Sequence, residues 1–187
     1  MECKDSISDF LGFSPIIGGA PISEDSCVFI KTFCLDKKIK KAIELGTGAG
    51  NVTKTLYHSG LDKIYSIDQN KKFSDQVKKE MDSDKIVFCH REVKVRGEGY
   101  IFGDEISQKY DLVVIDGPFV DPEGRMRSAM KINAKHYIFD DSYRDRKYID
   151  MFINNRNDID SFEEIKTERG LAVISIKDNM IKRRGRK

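Results

Sequence analysis

The sequence predicts an α/β domain: a mostly parallel sheet flanked by helices and closed by a C-terminal antiparallel hairpin. Three observations predict it. Short apolar runs alternate with helical stretches from Lys41 to Asn154. One of the runs, Leu112-Val113-Val114-Ile115, is continuously apolar, as a parallel strand buried on both faces requires. Two final apolar runs flank the turn Arg169-Gly170, the spacing of a hairpin.

The elements follow in order. Residues 1–22 form a lead-in segment, with an apolar patch at Phe10-Leu11-Gly12-Phe13 and a glycine loop at Gly18-Gly19-Ala20-Pro21. Ser23 has the character of a helix N-cap, followed by Glu24 and Asp25 in a first turn where the macrodipole favours acids. That helix carries Cys27, Val28, Ile30, Phe33 and Cys34 on or near an apolar face. A first strand is expected over Lys41–Leu45, a helix from Asn51 to near Gly60, and a second strand over Lys63–Asp68. Lys71–Met81 reads as a surface helix with Phe73, Val77 and Met81 at core spacing. Further strands are expected over Lys85–Cys89, Asp111–Asp116 and His136–Asp140, and a helix over Arg144–Asn154. The hairpin pairs Phe162–Lys166 with Leu171–Lys177. Val93–Gly103 shows no clear pattern, because Gly97, Gly99 and Gly103 interrupt it.

Composition narrows the class. A chain of 187 residues suits one domain with a sizeable core. No apolar run is long enough for a membrane span, and Met1-Glu2-Cys3-Lys4-Asp5-Ser6 lacks the basic-then-apolar pattern of a secretory signal. Cys3, Cys27, Cys34 and Cys89 form no C-x-x-C pair, so free thiols in a reducing, cytoplasmic setting are expected rather than zinc or disulfides. The net charge of +2 is uneven: Lys182-Arg183-Arg184-Gly185-Arg186-Lys187 carries five positive charges, leaving the remainder at −3. Such a tail, residues 179–187, suits either a disordered solubilising end or a contact with nucleic acid.

The chemistry-bearing motif is Glu44-Leu45-Gly46-Thr47-Gly48-Ala49-Gly50-Asn51, followed eighteen residues past Gly50 by Asp68. A dinucleotide site calls for G-x-G-x-x-G, which brings backbone against a pyrophosphate. Here the glycines run G-x-G-x-G, and Asn51 stands where the third glycine of that fingerprint belongs. Glu44 would repel a pyrophosphate but tolerate a cationic ligand. This string resembles the first motif of class I S-adenosylmethionine-dependent methyltransferases. The resemblance spans about residues 23–178 and implies a Rossmann-like, mostly parallel seven-stranded sheet ending in an antiparallel hairpin. It implies S-adenosylmethionine as cofactor, with Glu44, Gly46, Thr47, Gly48, Gly50, Asn51, Asp68, Gln69 and Asp116 around it and Asp68 on the ribose.

Ligands of open α/β sheets bind beyond the carboxyl ends of the strands. His90–Glu92, Asp116–Phe119 and Asp140–Tyr143 are expected there. Of the three histidines, His58 and His136 suit structural roles, and His90 alone is placed near the cofactor. Asp116 and Asp141 are the candidate catalytic acids. Gly124-Arg125-Met126-Arg127 and Phe139-Asp140-Asp141-Ser142-Tyr143 are also similar to stretches of the glucuronoxylan 4-O-methyltransferase-like subgroup. That similarity implies O-methylation of a sugar, a uronic acid or another small hydroxyl-bearing acceptor, with Arg125, Arg127 and Tyr143 as acceptor contacts. Asp116, Asp140 and Asp141 are also candidate ligands for Mg²⁺ or Mn²⁺, as in catechol-type O-methyltransferases, although Ser142 stands where those have Asn. Three other functions compete, of which a polyamine-synthase-like use of the fold would need an acidic polyamine pocket that has no clear counterpart in the sequence. A nucleic-acid methyltransferase would use the basic tail and the loop Asp116-Gly117-Pro118-Phe119, in which Gly117 replaces the first proline of a D-P-P-(F/Y) loop. A non-catalytic binding protein would keep only the fold. Oligomeric state is open.

Overall fold

The computed structural model describes residues 22–118 and 121–178. The expectations for the lead-in patch, Cys3, Phe119 and the basic tail lie outside the described residues. The order of elements is α1 (Glu24–Asp36), β1 (Lys41–Leu45), α2 (Asn51–His58), β2 (Lys63–Asp68), α3 (Lys71–Glu80), β3 (Ile86–His90), a short 3₁₀ helix (Asp104–Ser107), β4 (Lys109–Ile115), α4 (Pro122–Lys131), β5 (Asn133–Asp140), α5 (Ser142–Asn154), β6 (Ile159–Ile165) and β7 (Leu171–Ile176). The seven strands form one sheet in the order β3-β2-β1-β4-β5-β7-β6. Strands β1 to β5 are parallel, and β7 inserts antiparallel between β5 and β6.

Strand order reverses between β1 and β4, and this switch point puts the ends of β1, β2 and β4 together. The middle strands are buried on both faces: Ile43 and Leu45 on β1 and Leu112 to Ile115 on β4 have no exposed surface. One face packs Ile43, Leu45, Val113, Ile115, Tyr137 and Phe139 with Met126 of α4 and Phe152 of α5. The other packs Ala42, Ile64, Leu112 and Val114 with Cys27 and Ile30 of α1 and Leu56 of α2. Cys27 and Cys34 are buried free thiols, and burial pushes them up to about 11 and about 12.

Several boundaries differ from the sequence expectation. Ser23 is the N-cap of α1, but its hydroxyl donates to Asp25 Oδ1 (2.5 Å) and lies 2.8 Å from Ser26 Oγ instead of bonding helix backbone. Helix α4 was not expected as an element. Asp121 caps it, accepting from Gly124 N at 3.0 Å, and Pro122 opens its first turn. Strand β6 begins at Ile159, earlier than the pattern suggests, because an edge strand with polar residues on both sides lacks a continuous apolar run. No described helix is long and apolar enough to cross a membrane.

Candidate functional site

The glycine loop leaves the end of β1 and turns over β2. Gly46 N donates to Ile67 O at 2.8 Å, and Gly46 has φ +98°. A Cβ on Gly46 would lie 2.7 Å from Gly117 N, so the first loop and the turn after β4 touch backbone to backbone. The loop ends with Gly50 N donating to Thr47 O at 2.7 Å, and α2 starts at the buried Asn51. Asp68, at the tip of β2, pins the loop from the side. Its Oδ2 accepts from Gly48 N at 3.0 Å and its Oδ1 from Asn70 N at 2.7 Å. A carboxylate held by two backbone donors is fixed in direction and retains lone pairs for a further donor. Beside it lies an open cleft of about 470 Å³ lined by Gln69, Asn70, Lys71, Glu92, Val93 and Lys94. His90, exposed at the end of β3, meets Gln69 O through Nε2 at 2.9 Å.

Glu44, expected to repel a pyrophosphate and tolerate a cationic ligand, lies beneath the loop. It has no exposed surface. Its Oε2 accepts from Thr53 Oγ1 at 2.5 Å and from Ser66 Oγ at 2.8 Å, and Ser66 Oγ lies 2.7 Å from Thr47 Oγ1. Its Oε1 has no partner among the described residues. Burial pushes the carboxyl up to about 8, against the lowering effect of those hydroxyls. At neutral pH Glu44 is therefore mainly a neutral hub tying the glycine loop to α2 and β2.

The second half of the site lies at the ends of β4 and β5. Asp116 sits beyond Ile115, Asp140 closes β5, and Asp141 adopts a left-handed conformation (φ 58°, ψ 34°) before α5. One oxygen from each can be chosen so that all three lie within 4.8 Å of one another. Three guanidiniums enter the same cluster. Arg169, from the turn between β6 and β7, donates from Nη2 to Asp140 Oδ2 at 2.6 Å and places Nε 3.2 Å from Asp141 Oδ1. Arg125, from α4, donates from Nη1 to Asp141 Oδ2 and to Asp145 Oδ2, both at 3.1 Å. Arg144 places Nη2 2.8 Å from Asp141 Oδ2. Asp116 is held most loosely, with Arg125 Nη2 at 3.9 Å from its Oδ1. Burial, reinforced by the neighbouring Asp140 charge, pushes Asp116 up to about 8, and burial likewise raises Asp140 to about 6.

Arginine already takes much of the donor set that the acids in sequence suggest for Mg²⁺ or Mn²⁺, while Asp140 Oδ1 is buried without a hydrogen-bond partner among the described residues. Both oxygens of Asp141 and one of Asp140 already face guanidinium nitrogens at 2.6 to 3.2 Å. A divalent ion among these carboxylates would lie against arginine charge instead of a free ligand shell.

The acceptor contacts expected on α4 also need correction. Arg125 is only 2% exposed, and its Nε donates to Pro118 O at 3.2 Å, so its fork is engaged inside the protein. Arg127 faces solvent and pairs with Glu123 at 2.7 Å, a surface i, i+4 pair. Tyr143 stays exposed in the first turn of α5, with its backbone N–H directed to Arg169 O at 3.4 Å. The sequence reading missed Asp145, Arg144 and Arg169. Antiparallel pairing of the hairpin with β5, which sets Asp140 opposite Leu171, is the signal that would have found Arg169.

No family model and no curated protein matches this chain. Solved structures do. An O-methyltransferase from Bacillus cereus in complex with SAH is 12% identical over 91% of this chain and 87% of its own, with a TM-score of 0.69. The O-methyltransferase TomG from Streptomyces achromogenes, in complex with SAM, is 12% identical over 84% and 82%, with a TM-score of 0.63. A candidate RNA methyltransferase from Pyrococcus horikoshii is 14% identical over 96% and 98%, with a TM-score of 0.67. Neighbours described as O-methyltransferases and as a candidate RNA methyltransferase share one architecture, so the likeness speaks to fold and leaves the acceptor open. With its strand order, its antiparallel β7 and these neighbours, the chain has the class I S-adenosylmethionine-dependent methyltransferase fold.

Proposed function

We propose that the protein is an S-adenosylmethionine-dependent methyltransferase acting on a hydroxyl of a small acceptor. The observation that carries this reading is the backbone contact between the Gly46 turn and Gly117. It brings a glycine loop, pinned by Asp68, against the backbone of Asp116 and Gly117: a Cβ on Gly46 would lie 3.0 Å from the carbonyl carbon of Asp116. The residues fit the cofactor: a Cβ on Gly48 would meet nothing within 4 Å, so the outer face of the loop is open, and Asp68 stands beside it. Gly46, Thr47, Gly48, Gly50, Asn51, Asp68 and Gln69 would hold it, with Glu44 bracing the loop from below. When bound, S-adenosylmethionine supplies an electrophilic methyl group on a sulfonium.

The chain supplies alignment and a base. Asp68 can accept from a ribose diol while Gly48 N and Asn70 N fix its orientation. Asp116 is the candidate catalytic base. Raised to about 8, it holds a proton at neutral pH in most molecules, and its ionised fraction grows towards pH 8. An acceptor hydroxyl hydrogen-bonded to Asp116 would pass its proton there as the new C–O bond forms. Tyr143 is an exposed aromatic wall on the acceptor side, suited to a sugar or aromatic ring. A uronic acid loses the support of Arg125, whose guanidinium is held by Asp141 and Asp145, whereas Arg127 faces solvent beside Glu123. Buried free thiols suit a reducing compartment such as the cytoplasm.

Calorimetric titration with S-adenosylmethionine, S-adenosylhomocysteine and NADH tests the reading. Micromolar binding of the first two and none of NADH is expected. No binding of either sulfur compound would overturn it, and an acceptor screen that finds activity only on RNA or DNA would replace the small acceptor with the nucleic-acid alternative.

A further inference from the structure

We infer that Arg169, with Arg125, occupies the place of a divalent cation at the end of β5, and that Arg169 is a positioning residue making the site independent of metal. Four carboxylates, Asp116, Asp140, Asp141 and Asp145, meet three guanidiniums, Arg125, Arg144 and Arg169. Arg169 spans two adjacent acids, with Nη2 on Asp140 Oδ2 at 2.6 Å and Nε 3.2 Å from Asp141 Oδ1. Arg125 closes the other side of Asp141 and reaches Asp145. A cation bridging Asp140 Oδ2 and Asp141 Oδ2 would have to displace Arg169 from the first and Arg125 from the second, each guanidinium remaining a positive charge beside it; Asp140 Oδ1 has no hydrogen-bond partner among the described residues.

The arrangement also assigns different roles to the acids. Asp141 is held through both oxygens and Asp140 through Oδ2, whereas among the described residues the ion pair of Asp116 is the 3.9 Å one with Arg125. Asp116 is thus the acid able to exchange partners, and the clamp keeps its neighbours from moving when it does. The hairpin fixes Arg169 for this task. Gly170 takes φ +77°, Ser142 N donates to Gly170 O at 3.1 Å, and Glu168 N donates to Asp25 Oδ2 at 2.8 Å. Arg169 is therefore anchored on both sides of its own backbone, by α5 and by the start of α1.

The inference takes from the proposed function only that Asp116 faces the acceptor. Its test needs neither cofactor nor acceptor, so its failure is separate from a failed cofactor titration. Mn²⁺ binding is read on the full chain by the loss of the free-ion electron paramagnetic resonance signal. Wild type is expected to bind Mn²⁺ no more tightly than about 1 mM, a level set by scattered surface carboxylates. Arg169→Met is expected to gain at least about tenfold in affinity, because a like charge leaves the acids, and a second change, Asp140→Asn, should remove the gain. Arg169→Lys should retain wild-type behaviour. Far-UV circular dichroism confirms that each variant is folded. Micromolar Mn²⁺ binding by wild type that is lost in Asp140→Asn would overturn the inference, even if Arg169→Met did not fold. A folded Arg169→Met that gains no affinity would overturn it as well.

Discussion

Replacing Glu44 with Gln should lift a pH-dependent cost carried by the native fold. In the folded protein the carboxyl is raised to about 8 from an ordinary 4.5, with burial as the main cause. Between those values the native state keeps a proton that the unfolded chain has released. The contribution of Glu44 to stability is therefore full below pH 4.5, declines as pH rises through the window and is lost above about 8. At about 1.4 kcal/mol per pH unit the whole decline amounts to about 5 kcal/mol, of which about 3 kcal/mol is already lost at pH 7. Gln keeps an oxygen to accept from Thr53 and Ser66, so its own cost should be about 1 kcal/mol or less. Urea unfolding followed by far-UV circular dichroism at pH 5, 7 and 8.5 measures the difference. The two proteins should agree within about 1 kcal/mol at pH 5, and the variant should be the more stable by about 3 kcal/mol at pH 7 and more at pH 8.5. Parallel curves at all three pH values would show that Glu44 is ionised in the native state, and the neutral hub would have to be abandoned.

Other perturbations separate the parts of the site. Asp68→Ala should weaken S-adenosylmethionine binding by about 30-fold or more in calorimetry, since a charge-assisted hydrogen bond and the pin on Gly48 are lost together. Asp116→Asn should leave binding within about threefold and lower turnover by about 100-fold or more; equal loss of binding in both variants would place Asp116 on the cofactor. Gly46→Ala should cost about 2–4 kcal/mol in urea midpoint experiments, because it combines a left-handed φ with a methyl 2.7 Å from Gly117 N, and an unchanged midpoint would contradict the backbone contact. Arg156→Met should cost about 3–5 kcal/mol of stability while sparing cofactor affinity, since Arg156 pairs with buried Asp158 at 2.8 Å, remote from the glycine loop in sequence and chemistry.

The sheet was legible because parallel strands buried on both faces leave continuous apolar runs, and Leu112 to Ile115 is such a run. Helix α4 was not, because Gly124, Arg125 and Arg127 blur its apolar stripe; the cap Asp121-Pro122 was the signal to follow. The glycine loop and the aspartate of the second strand were legible because their spacing follows from one β-α-β unit. The roles of the charged residues were less so. Sequence supplies the type of a side chain but not its partner, so Arg125 read as an anchor for a ligand while its guanidinium in fact holds Asp141 and Asp145. Glu44 stands out in the motif as an acid two residues before the first glycine, but its protonation depends on burial among the strands, opposed by the hydroxyls of Thr53 and Ser66.

The two halves of the sheet divide the labour of the site. Parallel strands β1 and β2 end in the glycine loop and Asp68, which in the proposed function would hold the nucleoside side through backbone geometry and one fixed carboxylate. The antiparallel addition brings something parallel strands cannot, a tight turn returning to the same edge. Pairing β7 with β5 sets Leu171 opposite Asp140, so the preceding residues, Thr167 to Gly170, must lie over the end of β5. Arg169 enters the acid cluster from that turn, while Ser26 Oγ donates to Thr167 Oγ1 at 3.2 Å and ties the start of α1 to the same place. The glycine loop meets that side backbone to backbone where Gly46 approaches Gly117, next to Asp116 N, which donates to Leu45 O at 2.9 Å. The fold is shared with solved structures at identities of 12% to 14%, so the acceptor of this chain has to be argued from its own residues at the ends of β4 and β5.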